Sequence, residues 1–250
     1  MIKKTILITG ASSGIGWSTA NKLSKKGQSL ILCGRNTNKL IELSNVLHPD
    51  THLLTFDVRN KEDVFKSILS IPKKFKDIDV LINNAGNAHG FALAHESIVI
   101  DWEAMIDVNV KGLFYVTKAI LNDMVKKKSG QIINVGSIAG KESYPKGNVY
   151  CASKAAVEKF TEGLRLDLNP FGIRVSAVHP GLVATNFSNV RFKGDKERAK
   201  KVYEGFTPLS ANDVADCICY MIEAPKHVNI ADLTILPTDQ ASAYVLNKSD

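Results

Sequence analysis

Cysteine is scarce in this chain, and the four that occur form no metal-binding pattern. Cys33 and Cys151 stand alone, while Cys217 and Cys219 are two apart on a predicted helix and so point to divergent faces. No metal site is expected; the cysteines read as small buried hydrophobes of a reducing compartment, and a cytoplasmic location follows. Long apolar runs are also missing. After the opening MIKK, only Ile6 to Ile8 precede Thr9 and Gly10, too short for the core of a signal peptide, and no stretch approaches a membrane span. Lys and Arg exceed Asp and Glu by 32 to 25, yet the lysines lie in short groups such as Lys25–Lys26 and Lys126–Lys128 without interleaved aromatics. That excludes a nucleic-acid surface from the expectations and leaves a solvated basic exterior that attracts small anions. Internal repeats, low-complexity tracts and linkers are absent too. With 44% hydrophobic and 23% charged residues, 1–250 reads as one globular domain with a proper core.

What is present is an alternation of short apolar runs with longer helical patterns. Thr5–Thr9, Ser29–Cys33, His52–Phe56, Asp79–Asn83, Gln131–Val135, Ile173–Val178 and Leu233–Leu236 read as strands. Most are apolar almost throughout, as strands covered on both faces must be, which predicts a seven-stranded parallel sheet. Helices are predicted over 15–26, 37–47, 61–69, 101–127, 149–168 and 211–223. Ser210 and Asp213 form a capping box at the start of the last. Right-handed crossovers then give a doubly wound α/β fold with helices on both faces. The stretch from Gly181 to Pro208 is too long for an ordinary connection, and about 182–208 is expected to be a lid.

TGASSGIG, Thr9 to Gly16, joins the first strand to the first helix. Gly10 permits a tight turn, Gly14 lets backbone approach a pyrophosphate, and Gly16 lets helix and sheet pack closely. Free N–H groups at the helix start, around Ser12, Ser13 and Ile15, face the phosphates. At the end of the second strand, LCGRN places Gly34 where an acid would grip a ribose 2′-hydroxyl, followed by Arg35. A guanidinium there suits a 2′-phosphate, so NADP is the expected cofactor. VYCASK sets Tyr150 and Lys154 four apart, on one face of a helix. An ammonium beside a phenol favours phenolate, which would make an acid or base that works near neutral pH.

These residues, with NNAG (83–86), Asn109, Ser137 and PGLVAT (180–185), resemble the short-chain dehydrogenase/reductase family in order and spacing, over almost the whole chain. The resemblance implies a Rossmann-type domain in which Tyr150 is the general acid/base and Lys154 and the nicotinamide ring favour its phenolate. Ser137 would hold the substrate oxygen, and Asn109 a water linking Lys154 to solvent. It further implies that Asp57, with Val58, meets the adenine, that Asn84, Ala85 and Gly86 pass behind the cofactor, and that Pro180, Gly181, Val183 and Thr185 hold the carboxamide. Asn36 departs from relatives that carry a second basic residue, which weakens the phosphate clamp. A homotetramer is expected, with helices 101–127 and 149–168 at one interface.

Residues 185–195, 207–216 and 227–242 are similar to the NADP-dependent 3-hydroxy acid dehydrogenase branch. Its members oxidise serine, L-allo-threonine and related 3-hydroxy acids, and reduce malonic semialdehyde. A substrate carboxylate in an apolar pocket needs a cation. Arg191 is the first candidate, Lys193 and Lys146 the weaker ones, and the alternative is that Arg191 pairs with Asp195 or Glu197. Two other functions stay open: a broad NADPH-dependent carbonyl reductase, and a non-catalytic NADP-binding regulator. The sequence does not rank the individual 3-hydroxy acids or the direction of reaction.

Overall fold

The computed structural model describes residues 3–48 and 50–249, so the opening MIKK lies partly outside the described residues, at Met1 and Ile2. Seven parallel strands, β1 (Thr5–Thr9), β2 (Ser29–Gly34), β3 (Thr51–Thr55), β4 (Val80–Asn83), β5 (Gly130–Val135), β6 (Ile173–Pro180) and β9 (Asp232–Ile235), form one sheet. Their order is β3-β2-β1-β4-β5-β6-β9. The short pair β7 (Val183–Ala184) and β8 (Leu209–Ser210) lies apart from it. From β1 the chain winds outward to β3, then returns to start again at β4. This reversal opens a crevice beyond the carboxyl ends of β1 and β4.

Strand periodicity sorts the core into two layers. Leu7, Ile31, Leu81, Ile132 and Val175 are in register across five strands and face one side, while Ile6, Ile8, Leu30, Leu32 and Ile82 face the other. The second layer is covered by α1 (Gly14–Lys25), α2 (Thr37–Val46) and α10 (Ala211–Glu223), through Ala20, Leu23, Leu40, Leu43, Val214 and Ile218. Helices α3 (Lys61–Leu69), α5 (Leu113–Lys127) and α7 (Asn148–Leu168) cover the first through Val64, Val116, Ile120 and Leu164. Each fully buried Leu or Ile contributes about 1.5–3 kcal/mol, so a charge at Leu81 would disrupt the layer it shares with Leu7 and Ile132. The expected capping box is present: Ser210 N donates to Asp213 Oδ2 (2.7 Å) and Asp213 N to Ser210 Oγ (3.3 Å).

Two expectations need correction. The helix read over 101–127 is three pieces: α4 (Val99–Ile106), a π-helical turn over Asp107–Gly112, and α5. The turn arises where Asn109 bonds outside the helix and where Gly112 lies against Val58, only 2.7 Å from any added Cβ. The segment read as irregular contains α8 (Phe187–Arg191) and α9 (Lys196–Lys201), the latter capped by Asp195, which accepts from Arg198 N at 3.0 Å. The remaining helix, α6 (Ile138–Lys141), follows β5 directly. Cys33, Cys151 and Cys219 are buried and free, but Cys217 is only half-buried because α10 is amphipathic. Among the described residues, no helix is long and apolar enough to cross a membrane, and no cluster of three His, Cys, Asp or Glu side chains could hold a metal.

Candidate active site

The sequence-predicted site residues line one cleft of about 1280 Å³ above the crevice, with two exceptions, Gly16 and Asn109. Gly16 packs against the turn below: a Cβ there would lie 2.4 Å from the Gly10 carbonyl oxygen. Gly10 and Gly14 have φ of +64° and +54°, a conformation glycine adopts without strain. Ser13 is the N-cap of α1, yet its side chain makes no cap bond and the first turn carries no acid. The helix therefore presents unneutralised amides and the positive end of its dipole to the cleft, an arrangement that takes anions. Asn84 holds this turn from across the crevice, donating to Thr9 O (2.9 Å) and Gly10 O (3.2 Å), while Thr9 Oγ1 accepts from Asn84 N and Ala85 N, both at 3.0 Å. The glycine turn and the NNAG segment are thus one unit.

At one end of the cleft, the Arg35 side chain is 67% exposed and lies 3.9 Å from Asp57. Asn36, expected beside it as a cofactor contact, uses its side-chain oxygen to cap α2, accepting from Lys39 N at 3.0 Å. Asp57 is occupied by Arg59, a residue the sequence reading did not single out: Nε donates at 3.1 and 3.0 Å to the two oxygens and NH2 at 2.7 Å to Oδ2. Burial would raise the Asp57 carboxyl, but bonds from the Arg59 side chain and backbone, with the charges of Arg59 and Arg35, hold it below its ordinary value.

The other end carries Ser137, Tyr150 and Lys154. Ser137 follows β5 in extended conformation, and its Oγ accepts from Ala139 N at 3.1 Å. Tyr150 and Lys154 are buried on α7. Lys154 Nζ donates to Val135 O at 2.9 Å and sits beside Gly86, 3.5 Å from a Cβ built there. Burial pushes its pKa down to about 8. Burial also drives the Tyr150 hydroxyl above the ordinary phenol value, and Tyr144 adds to this; Ser137, by a hydrogen bond, and Arg191, by its charge, oppose it. The expectation that Lys154 draws Tyr150 toward neutrality is thus modified. Among the protein's own groups the ammonium turns to a backbone carbonyl, and desolvation dominates both residues.

Asn109 lies in the π-helical turn, its Oδ1 accepting from Asn87 N (2.8 Å) and its Nδ2 donating to Asn87 O (2.9 Å) and Ser153 Oγ (3.0 Å). It is a buried amide that satisfies backbone, and it shapes the NNAG loop next to Lys154.

Arg191 projects from α8 into the cleft. Its NH2 donates to the Tyr144 hydroxyl (2.8 Å) and its Nε to Gly90 O (3.4 Å), and the guanidinium lies 4.8, 5.5 and 5.5 Å from the ring centres of Phe91, Tyr144 and Tyr150. The alternative pairing with Asp195 or Glu197 is not formed, since Asp195 caps α9. Lys193 pairs with Asp101 (3.0 Å), and Lys146 lies 6.0 Å from the Phe91 ring centre. Arg191 is therefore the cation held against Tyr150, and Tyr144 and Phe91, which hold it there, escaped the sequence reading. A hydroxyl group between Ser137 and Tyr150 would have an acid/base partner, a hydrogen-bond partner and a nearby cation for a charged neighbour.

Three comparisons bear on this geometry. Residues 4–196 match the family described as short chain dehydrogenase. The chain is 43% identical to an NADP-dependent 3-hydroxy acid dehydrogenase of Salmonella typhi over 239 residues, 95% of this chain and 96% of the relative. It is 39% identical to a serine 3-dehydrogenase of Agrobacterium fabrum over 96% of each. A structure of the closed form of serine dehydrogenase complexed with NADP+ superposes with a TM-score of 0.94 at 41% identity, covering 98% of this chain and 99% of that one.

Proposed function

Because the chain belongs to the short chain dehydrogenase family, we propose that it is an NADP-dependent oxidoreductase acting on the CH–OH group of a small 3-hydroxy acid. The observation that carries this reading is the guanidinium of Arg191 held 5.5 Å from the Tyr150 ring, a cation beside the group that would handle the proton. The cofactor's anionic parts fit the cleft: the uncapped amides of α1 suit the pyrophosphate, and exposed Arg35 suits a 2′-phosphate. Asp57 and Val58, the Asn84–Gly86 turn and the Pro180–Thr185 segment would hold the rest. When bound, NADP(H) supplies the hydride acceptor or donor.

The protein's own residues supply position and proton. Ser137 holds the substrate oxygen, Tyr150 takes its proton in oxidation and returns it in reduction, and Lys154, its ammonium on Val135 O, lies buried behind them. Arg191 takes the carboxylate in its planar fork. Gly90 N donates to Arg191 O at 3.0 Å, so the segment 182–208, acting as a lid, closes against the loop opposite. The apolar rings of Phe91 and Phe187 also suit a neutral carbonyl compound, the second reading.

Initial rates of NADPH formation decide between them. Serine, L-allo-threonine and 3-hydroxyisobutyrate should be oxidised more efficiently than neutral alcohols of matched size, and more with NADP than NAD. Equal efficiency for acids and neutral alcohols would favour the carbonyl reductase.

We further propose a homotetramer with α4, α5 and α7 at one interface. Phe114 packs on Phe160 with ring centres 4.4 Å apart, tilted by 50°, and Val99, Ile100 and Leu166 are exposed nearby in sequence. Light scattering giving the 27.3 kDa of one chain would reject it. A cytoplasmic setting goes with free cysteines.

A further inference from the structure

We infer that Arg59 is a specificity-determining residue for the 2′-phosphate of NADP, and that it acts through Asp57 and Arg35. The inference rests on the NADP reading above and adds a residue to it. Two guanidiniums face one carboxylate oxygen: Arg59 NH2 at 2.7 Å and Arg35 NH1 at 3.9 Å from Asp57 Oδ2. They share it unequally. Arg59 makes three side-chain bonds to Asp57 and adds its backbone N–H to Oδ1 at 3.0 Å. Arg35 stands beyond hydrogen-bond reach, with its side chain 67% exposed against 47% for Arg59.

The consequence is electrostatic. A carboxylate beside Arg35 both repels a phosphate dianion and competes for the guanidinium that would bind it. Arg59 cancels that charge and fills the carboxylate's lone pairs, so Arg35 keeps its donors for the ligand. No neighbour takes over the task. Asn36 is committed to capping α2, Lys39 pairs with Glu42 at 2.6 Å, and Lys111 pairs with Asp107 at 2.8 Å. The local charge of Arg35, Asp57 and Arg59 together is +1; without Arg59 it falls to zero, and Asp57 is free to draw Arg35 onto itself. NAD lacks the 2′-phosphate and is indifferent to this balance.

The test is direct titration of NADPH and NADH, by nucleotide fluorescence, into the wild-type protein and the variants Arg59→Ala, Arg59→Lys and Arg59→Ala/Asp57→Asn. Arg59→Ala should weaken NADPH about fivefold or more while changing NADH less than about twofold, the scale of a partly exposed charge pair. Arg59→Lys, which keeps the charge, should lie close to wild type. The double variant restores the net +1 and should recover most of the NADPH-to-NADH preference, as coupled neighbours do in a double-mutant cycle. Retained NADH binding certifies the fold of the two single variants, and circular dichroism certifies that of the double variant, in which Asp57 is itself a proposed nucleotide contact. If Arg59→Ala weakens both nucleotides equally or neither, or if Asp57→Asn fails to restore the preference, the inference is overturned while the NADP reading stands. A wild-type protein that binds NADH as tightly as NADPH overturns both.

Discussion

Replacing Arg191 by alanine should separate charged from neutral substrates. Its guanidinium is fixed before any substrate arrives, by Tyr144 at 2.8 Å, Gly90 O at 3.4 Å and three aromatic rings within 5.5 Å. A carboxylate meeting it gains charge-assisted bonds of about 1.5–3 kcal/mol with little ordering cost, equivalent to about 10- to 150-fold. Because Arg191 is only half-buried, water recovers part of the loss, and the lower half of that range is expected. The bond exists in both ground and transition states, so the loss should fall on KM with kcat nearly kept. The assay is initial-rate kinetics with 3-hydroxyisobutyrate and a neutral primary alcohol of similar size, at saturating NADP. The acid should lose about tenfold or more in kcat/KM and the alcohol less than about twofold. Arg191 also ties α8 to the loop at Gly90, so collapse of the lid is the rival outcome. In that case acid and alcohol lose efficiency in equal proportion, and the carboxylate role is refuted.

Two other perturbations follow. Arg35→Ala should weaken NADPH by about tenfold, through loss of a charge-assisted bond at an exposed site, and leave NADH nearly unchanged; equal loss for both in fluorescence titration would make Arg35 a support of the fold. Lys154 has a folded pKa of about 8 against 10.5 for the ordinary side chain. The unfolded chain therefore binds more protons than the folded one between these values, and stability should rise with pH across that window, on the order of 3 kcal/mol at most. In Lys154→Met that rise should be missing, measured by urea midpoints from about pH 7 to 10 without nucleotide; parallel curves for the two proteins would show that burial of the ammonium carries no such penalty.

Much of this was readable from local pattern. The strands, both sheet faces, the glycine turn and the Ser210–Asp213 box each depend on residues within a few positions of one another. That Arg191 would face the cleft was also legible, as the arginine whose planar fork suits a carboxylate, and it lies 5.5 Å from the Tyr150 ring centre. What supports these groups was not legible, since it comes from distant chain. Tyr144 reaches Arg191 across 47 positions, and Asn87 meets Asn109 across 22. Arg59 is only two residues from Asp57, but a surface arginine in a turn and one that saturates a carboxylate have the same sequence. Asn36 reads as a phosphate neighbour by position and serves as a helix cap by chemistry. The π-helical turn left one sign, a poor helix former at 109 inside an otherwise helical pattern. Lys154 misled in a different way: the four-residue spacing placed it correctly, while the direction of its ammonium was set by Val135 O on a neighbouring strand.

The most direct measurement is Tyr150→Phe, assayed in parallel for oxidation of 3-hydroxyisobutyrate and for NADPH binding. The ring and its packing against Phe187 at 5.6 Å are retained, and only the buried hydroxyl beside Ser137 is removed. If Tyr150 is the acid/base that moves the proton, turnover should fall about a hundredfold or more while NADPH binds as in the wild type. A variant that binds NADPH normally and keeps more than about a tenth of the wild-type rate contradicts that role, because a positioned acid/base contributes far more than this.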